Sequence, residues 1–195
     1  MTFKTADLCD QFSDELQVCE PGFLSFGGRP RYAGPVSTIK CFEDNSLVRE
    51  ALDEPGRGRV LVVDAGASRR CAMLGDLLAA KAVGNGWAGV LLNGMIRDAY
   101  EIRQMDLGVS ALGTHPLKSV KKGIGERDVV VRFAGVNFEA GDYLYADEDG
   151  IICSSRPSPR PSVSCVCRLP FRPVRRACRH SGCSTVRPLA IVYQR

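Results

Sequence analysis

Three short, continuous apolar runs constrain this chain more than any other feature. They are Val60-Leu61-Val62-Val63, Val90-Leu91-Leu92 and Val109-Ser110-Ala111-Leu112. A strand with one wet face alternates apolar and polar residues, so unbroken runs imply strands covered on both faces. Between them lie two segments of helical character, Gly75 to Gly84 and Asp98 to Met105. Strand, helix, strand, helix, strand predicts a parallel β-α-β-α-β unit within an α/β fold. None of the runs approaches the length needed to cross a bilayer.

The remaining elements are read around that unit. Thr5 to Phe12 predicts a short helix capped by Thr5, with Leu8 and Phe12 on one face. Tyr32 to Phe42 reads as extended, and Asn45 can cap a helix to Leu52 that Asp53-Glu54-Pro55-Gly56 ends. Leu78, Ala82 and Val83 are available for the core face of the Gly75–Gly84 helix. Val129 to Val136 and Tyr143 to Tyr145, with a turn at Gly141-Asp142, predict antiparallel β structure.

Two stretches carry the chemistry. Gly75-Asp76-Leu77-Leu78 enters a helix, and Gly94-Met95-Ile96-Arg97-Asp98 closes a strand. A helix start offers N–H groups without intrahelical partners, which suit a carboxylate. Arg97 can grip the same anion through two parallel hydrogen bonds. Asp98 can take a hard, oxygen-seeking cation. In parallel α/β units ligands favour the carboxyl ends of strands, where Arg97-Asp98 is placed. The set suits a small anionic α-keto acid beside a divalent metal. The plainer alternatives are a helix-capping Asp76 and a surface Arg97–Asp98 ion pair.

Charge and cysteine content divide the chain. From Ser154 onward there are nine Arg, six Pro and four Cys, with no Lys and no acidic residue. Without that segment the chain has 17 basic and 22 acidic residues, a net charge of −5, so the body shows no nucleic-acid surface. Residues 1–153 are expected to form the folded domain. Residues 154–195 are expected to be a disordered, dispensable tail, since repeated Pro and like charge oppose packing. Cys165, Cys167, Cys178, His180 and Cys183 fit no standard zinc spacing. The body cysteines are expected to be reduced, and the N-terminus has no secretory pattern, which makes cytoplasm the expected location. Lys81 is expected to be a solvated helix residue. His115 lacks a triad motif, and Asp142, Asp147 and Asp149 lack calcium-loop spacing, so structural turns are expected there.

Across roughly residues 4–153 the chain resembles the regulator of ribonuclease activity A family, which includes the 4-hydroxy-4-methyl-2-oxoglutarate aldolases. The resemblance is carried by Ala6-Asp7-Leu8-Cys9-Asp10, Phe26-Gly27-Gly28-Arg29, Ile39 to Asn45, Gly56 to Asp64 and Tyr145 to Gly150. It implies a central β-sheet or barrel-like core with flanking helices, similar to the swivelling phosphohistidine domain. It also implies a homotrimer, in places stacked into hexamers. Aldolase members carry Gly-Asp-x-Leu followed by Arg-Asp, matched here by Gly75-Asp76-Leu77-Leu78 and Arg97-Asp98.

By that resemblance the activity is metal-dependent cleavage of 4-hydroxy-4-methyl-2-oxoglutarate to two pyruvates through an enolate. Decarboxylation of oxaloacetate is the expected side activity. Arg97 would stabilise the enolate, Asp98 would hold Mg²⁺ or Mn²⁺, and Asp76 would orient water for proton transfer. Gly75, Asp76, Leu77 and Leu78 would hold the pyruvyl carboxylate with their N–H groups. The rival implication is a non-catalytic regulator that binds a ribonuclease of the E type.

Overall fold

The computed structural model describes residues 3–157. Helix α1 (Thr5–Phe12) leads through a 3-10 turn (Ser13–Glu15) into strands β1 (Leu16–Val18), β2 (Leu24–Ser25) and β3 (Tyr32–Lys40). Then come α2 (Ser46–Asp53), β4 (Val60–Asp64), β5 (Ala72–Leu74), α3 (Asp76–Gly84), β6 (Gly89–Ile96), α4 (Ala99–Arg103) and β7 (Gly108–Thr114). The described residues end with β8 (Glu126–Arg127), β9 (Val131–Phe133), β10 (Val136–Phe138), β11 (Tyr143–Ala146) and β12 (Ile151–Ser154). The expected tail and its cysteine cluster lie almost wholly outside the described residues.

Ten strands form one sheet in the order β1-β12-β11-β3-β4-β6-β7-β2, with β5 joined to β6 and β8 to β3. Its centre is the expected parallel unit, Val60 beside Gly89 and Gly89 beside Gly108, and β3 extends it in parallel with Val36 beside Val60. Strand β3 joins this parallel part to an antiparallel one. Its residues 32–35 pair with β11, and residues 36–40 pair with β4. Pro35 falls at the change of partner, where a strand best tolerates a missing N–H.

Both faces of the central strands are covered, which is why their sequences do not alternate. Leu61, Val63, Val90 and Leu92 pack with Val48, Ala51 and Leu52 of α2 and with Ala79 and Ala82 of α3. Val60, Val62 and Leu91 pack on the opposite side with Val131, Val136 and Phe138 of the β9–β10 hairpin. Each such Val, Leu or Phe side chain, fully removed from water, contributes about 1.5–3 kcal/mol. Helix α1 closes a smaller cluster with Leu8 against Tyr145 and Ile152. No helix among the described residues is long and apolar enough to cross a membrane.

Several local expectations change. Thr5 is the first residue of α1 rather than its cap, because its backbone N–H and hydroxyl both donate to the Asp147 carboxylate, at 2.7 and 2.6 Å. Val83 is more than a third exposed, and Ala79 takes the core position expected of it. The Val129–Val136 segment folds back on itself, Phe133 pairing with Val136 across a tight turn. Asn45 precedes α2 but makes no side-chain cap; its amide donates instead to the Met73 carbonyl at 3.0 Å. Strand β5 was not expected at all, and it has the largest consequence for the site.

Candidate active site

Strand β5 pairs in parallel with β6, placing Leu74 beside Ile96. The Arg97 N–H donates to the Leu74 carbonyl at 2.9 Å. The residues that follow each strand, Gly75-Asp76 and Arg97-Asp98, therefore meet at the carboxyl ends of adjacent parallel strands. Two stretches twenty-one residues apart become one site.

Asp98 is in the left-handed region, φ 55° and ψ 41°, at the start of α4. Aspartate tolerates this region better than most residues. The turn places its carboxylate against the preceding loop. Asp98 Oδ2 accepts the Asp76 N–H at 3.3 Å and lies 3.2 Å from Arg97 Nε. Asp76 Oδ1 accepts the Leu77 N–H at 2.7 Å, and the Leu78 N–H donates to the Gly75 carbonyl at 3.2 Å. The N–H groups expected to be free at 76–78 are thus each engaged within the chain. Two of the three are held by carboxylates, the group a keto acid would present.

Gly75 makes this closeness possible. A Cβ there would lie 2.7 Å from Asp98 Oδ2, 3.1 Å from Arg97 Nε and 3.3 Å from Arg97 Cγ. Its backbone, φ −134° and ψ −178°, is ordinary extended chain. Space, and not conformation, requires glycine at this position.

A cleft of about 310 Å³ opens beside these residues. Gly75, Asp76, Leu77, Leu78 and Arg97 line it. Asn45, Arg49, Lys118, Ser119 and Lys121 line it too. None of these five was expected at the site. The Lys118–Lys122 cluster was the available signal, but nothing local ties it to Arg97. Lys81 also lines the cleft and, rather than standing solvated alone, forms an ion pair with Asp53. Asp44 holds the lysine-bearing segment in place. Its carboxylate accepts N–H groups of Ser46, Lys122 and Ile124 at 2.8–2.9 Å. Burial pushes the Asp44 pKa up, but these donors, Ile124 foremost, outweigh it and bring it down to about 2.

The other candidates are structural. His115 Nδ1 accepts the Leu117 N–H at 3.1 Å. Asp147 serves Thr5 and the Asp149 N–H, and Asp142 accepts the Glu139 N–H. Among the described residues no three or more His, Cys, Asp or Glu side chains converge to hold a metal. Asp98 and Asp76 offer at most two carboxylates to a cation at this place. That suits Mg²⁺ or Mn²⁺, which bind through one or two carboxylates and share the rest of their shell with water and substrate. It does not suit a closed zinc site.

Known proteins match this chain over nearly the whole described region. A protein of Alkalilimnicola ehrlichii with the provisional name 4-hydroxy-4-methyl-2-oxoglutarate aldolase is 66% identical over 152 residues, covering 78% of this chain and 94% of its own. The crystal structure of a Geobacillus kaustophilus protein, described as an S-adenosylmethionine:2-dimethylmenaquinone methyltransferase, superposes with a TM-score of 0.79 at 55% identity, covering 80% of this chain and 97% of that one. The RNA-processing inhibitor RraA from Thermus thermophilis superposes with a TM-score of 0.79 at 46% identity, covering 84% and 99%. The model of the RraA-like family, Aldolase/RraA, matches residues 5–153. With that span matched and relatives this similar, the chain belongs to the Aldolase/RraA family.

Proposed function

We propose that this protein is an aldolase that cleaves 4-hydroxy-4-methyl-2-oxoglutarate to two molecules of pyruvate, and that it also decarboxylates oxaloacetate. The names of its relatives describe three different activities, so similarity alone does not choose among them. The observation that carries the choice is the meeting of Arg97 and Asp98 with the Gly75–Leu78 turn, beside a cleft that the turn and Arg97 line. Function resides in such a site rather than in the fold.

The pyruvyl carboxylate of the substrate replaces the protein's own carboxylates on the N–H groups of Asp76 and Leu77. That exchange frees Asp76 to act as a base. The C4 hydroxyl gives up its proton toward Asp76, through water. The C3–C4 electron pair moves into the keto group, which releases one pyruvate and leaves the enolate of the other. Arg97 faces the developing oxyanion and stabilises it, an effect worth about 10²-fold or more in turnover. Protonation of the enolate at C3 yields the second pyruvate. Oxaloacetate loses carbon dioxide to reach the same enolate. Asp98 would hold the divalent cation, which supplies a Lewis acid for the keto oxygen when bound.

Leu77 and Tyr100, both exposed beside the site, offer apolar surface for the homotrimer or hexamer that the family resemblance implies. The likeness to an RNA-processing inhibitor supports a second reading, a non-catalytic partner of a ribonuclease. Pyruvate release from the two substrates, with and without chelator, decides between them. Chelator-sensitive release is expected; no release from either substrate refutes the aldolase reading.

A further inference from the structure

Among the described residues, the buried side-chain polar atoms without a hydrogen-bond partner are Asn45 Oδ1 and Ser119 Oγ. Both residues line the cleft that contains Gly75, Asp76 and Arg97. Buried polar atoms are rarely left unpaired, and a ligand group is one reason for the exception. Ser119 is only 6% exposed, so bulk water does not solve the problem for its hydroxyl.

Their placement is specific. Asn45 Nδ2 donates to the Met73 carbonyl, which fixes the orientation of the amide and leaves Oδ1 as the unused acceptor. The Ser119 N–H donates to the Ala72 carbonyl at 3.2 Å. Both residues are therefore anchored to the first part of β5, whereas Gly75 and Asp76 follow its last residue. At about 3.3 Å per strand residue, the two ends of the cleft lie roughly 7–10 Å apart. A five-carbon chain with a carboxylate at each end, together with its hydrogen bonds, spans such a gap. Lys118 and Lys121, next to Ser119 in the chain, line the same cleft, and neither forms an ion pair among the described residues.

We propose that Asn45, Ser119, Lys118 and Lys121 form a distal subsite that recognises the second carboxylate of a dicarboxylic keto acid. Asn45 Oδ1 can only accept, so it requires a donor, which a Lys118 or Lys121 ammonium turned toward the bound carboxylate supplies. The Ser119 hydroxyl, after a turn about χ1, donates to the carboxylate. The two lysines supply the complementary charge. This assignment rests on the keto-acid reading of the site and adds the residues that select dicarboxylates over pyruvate itself.

Calorimetry on the full chain tests it without requiring turnover. Pyruvate and 2-oxoglutarate serve as the monocarboxylate and dicarboxylate probes, each titrated in the presence of Mg²⁺. The wild type is expected to prefer 2-oxoglutarate by about tenfold or more, the value of one hydrogen bond to a charged group. Ser119→Ala and the pair Lys118→Gln/Lys121→Gln should each erase most of that preference. The lysine variant should also lose its sensitivity to ionic strength. The lysines are surface residues, so their substitution tests the subsite even if Ser119→Ala folds poorly. Equal affinity for the two probes in the wild type overturns the proposal. So does a preference that both variants retain, which would mean that ordered water satisfies Asn45 and Ser119. Preference with no pyruvate release from 4-hydroxy-4-methyl-2-oxoglutarate would refute the aldolase reading and leave the subsite standing. Binding of neither probe refutes both.

Discussion

Replacing Gly75 with alanine should separate stability from function in this protein. The added Cβ would sit 2.7 Å from Asp98 Oδ2 and 3.1 Å from Arg97 Nε. Ordinary contacts need several tenths of an ångström more. The backbone at Gly75 is already extended, so alanine brings no conformational strain and removes freedom from the unfolded chain, a gain of about 0.4–1 kcal/mol. The atoms it meets belong to two side chains, each about a third exposed, which can withdraw. The fold therefore tolerates the change, and the melting temperature should stay within a few degrees. The site does not tolerate it. Asp98 must leave the Asp76 N–H, and Arg97 must shift with it. A misplacement of about 1 Å at a reacting centre costs on the order of 10²-fold in rate. Gly84→Ala is the control: Gly84 is the last residue of α3, the helix that Gly75 precedes, and a Cβ there meets nothing within 4 Å. It should be neutral or stabilise the helix by about 0.5–1 kcal/mol. Thermal melts and a coupled assay of pyruvate release read the two effects. A Gly75→Ala protein with near-normal turnover would show that the contact between Gly75, Arg97 and Asp98 is not part of the working site.

Further outcomes are expected. Arg97→Lys keeps the charge but loses the planar fork, so turnover should fall about 10²-fold with the fold intact; normal turnover on both substrates would remove Arg97 from the chemistry. Asp98→Ala should raise the Mg²⁺ concentration needed for activity, whereas Asp76→Asn should slow turnover at an unchanged metal requirement, since an amide is a poor base. Full activity after exhaustive chelation would disprove the metal requirement. The Asp44 carboxyl has a folded value of about 2 against an ordinary 3.8, so the stability it contributes is present above 3.8 and lost as pH falls through about 2. Asp44→Asn should therefore lower stability by about 1 kcal/mol or more at pH 6, with the gap to wild type closing toward pH 2 in urea unfolding; a gap independent of pH would contradict the reasoning. A chain ending at Ser155 should keep its melting temperature and activity. Among its described contacts it gives up the Arg156–Glu15 ion pair, which is exposed and contributes little.

Much of the domain was legible because its signals are local. The runs at Val60, Val90 and Val109 became β4, β6 and β7, and their lack of alternation correctly required a covered sheet. Helices α1, α2 and α3 appear where periodicity and turn residues put them. Gly75, Asp76, Arg97 and Asp98 stood out from residue chemistry and family likeness, and their spacing alone did not say that they meet. The roles assigned to them rest on the proposed reaction.

What tertiary structure decided is non-local. Ala72-Met73-Leu74 is too short and too weakly patterned to announce a strand, and it becomes β5 by pairing with β6, some twenty residues on. That pairing alone closes the gap between Gly75 and Arg97. The same holds for Asn45, which looks like a helix cap but gives its amide to Met73. It holds also for the N–H groups at Asp76 and Leu77, which carboxylates already occupy. Thr5 is drawn to Asp147 across 142 residues, as no cap rule could foresee. Amino-acid order specified which segments bury their side chains, because hydrophobic periodicity repeats within a few residues. Which polar groups satisfy one another depended on partners far along the chain, because a hydrogen bond is settled by distance in space.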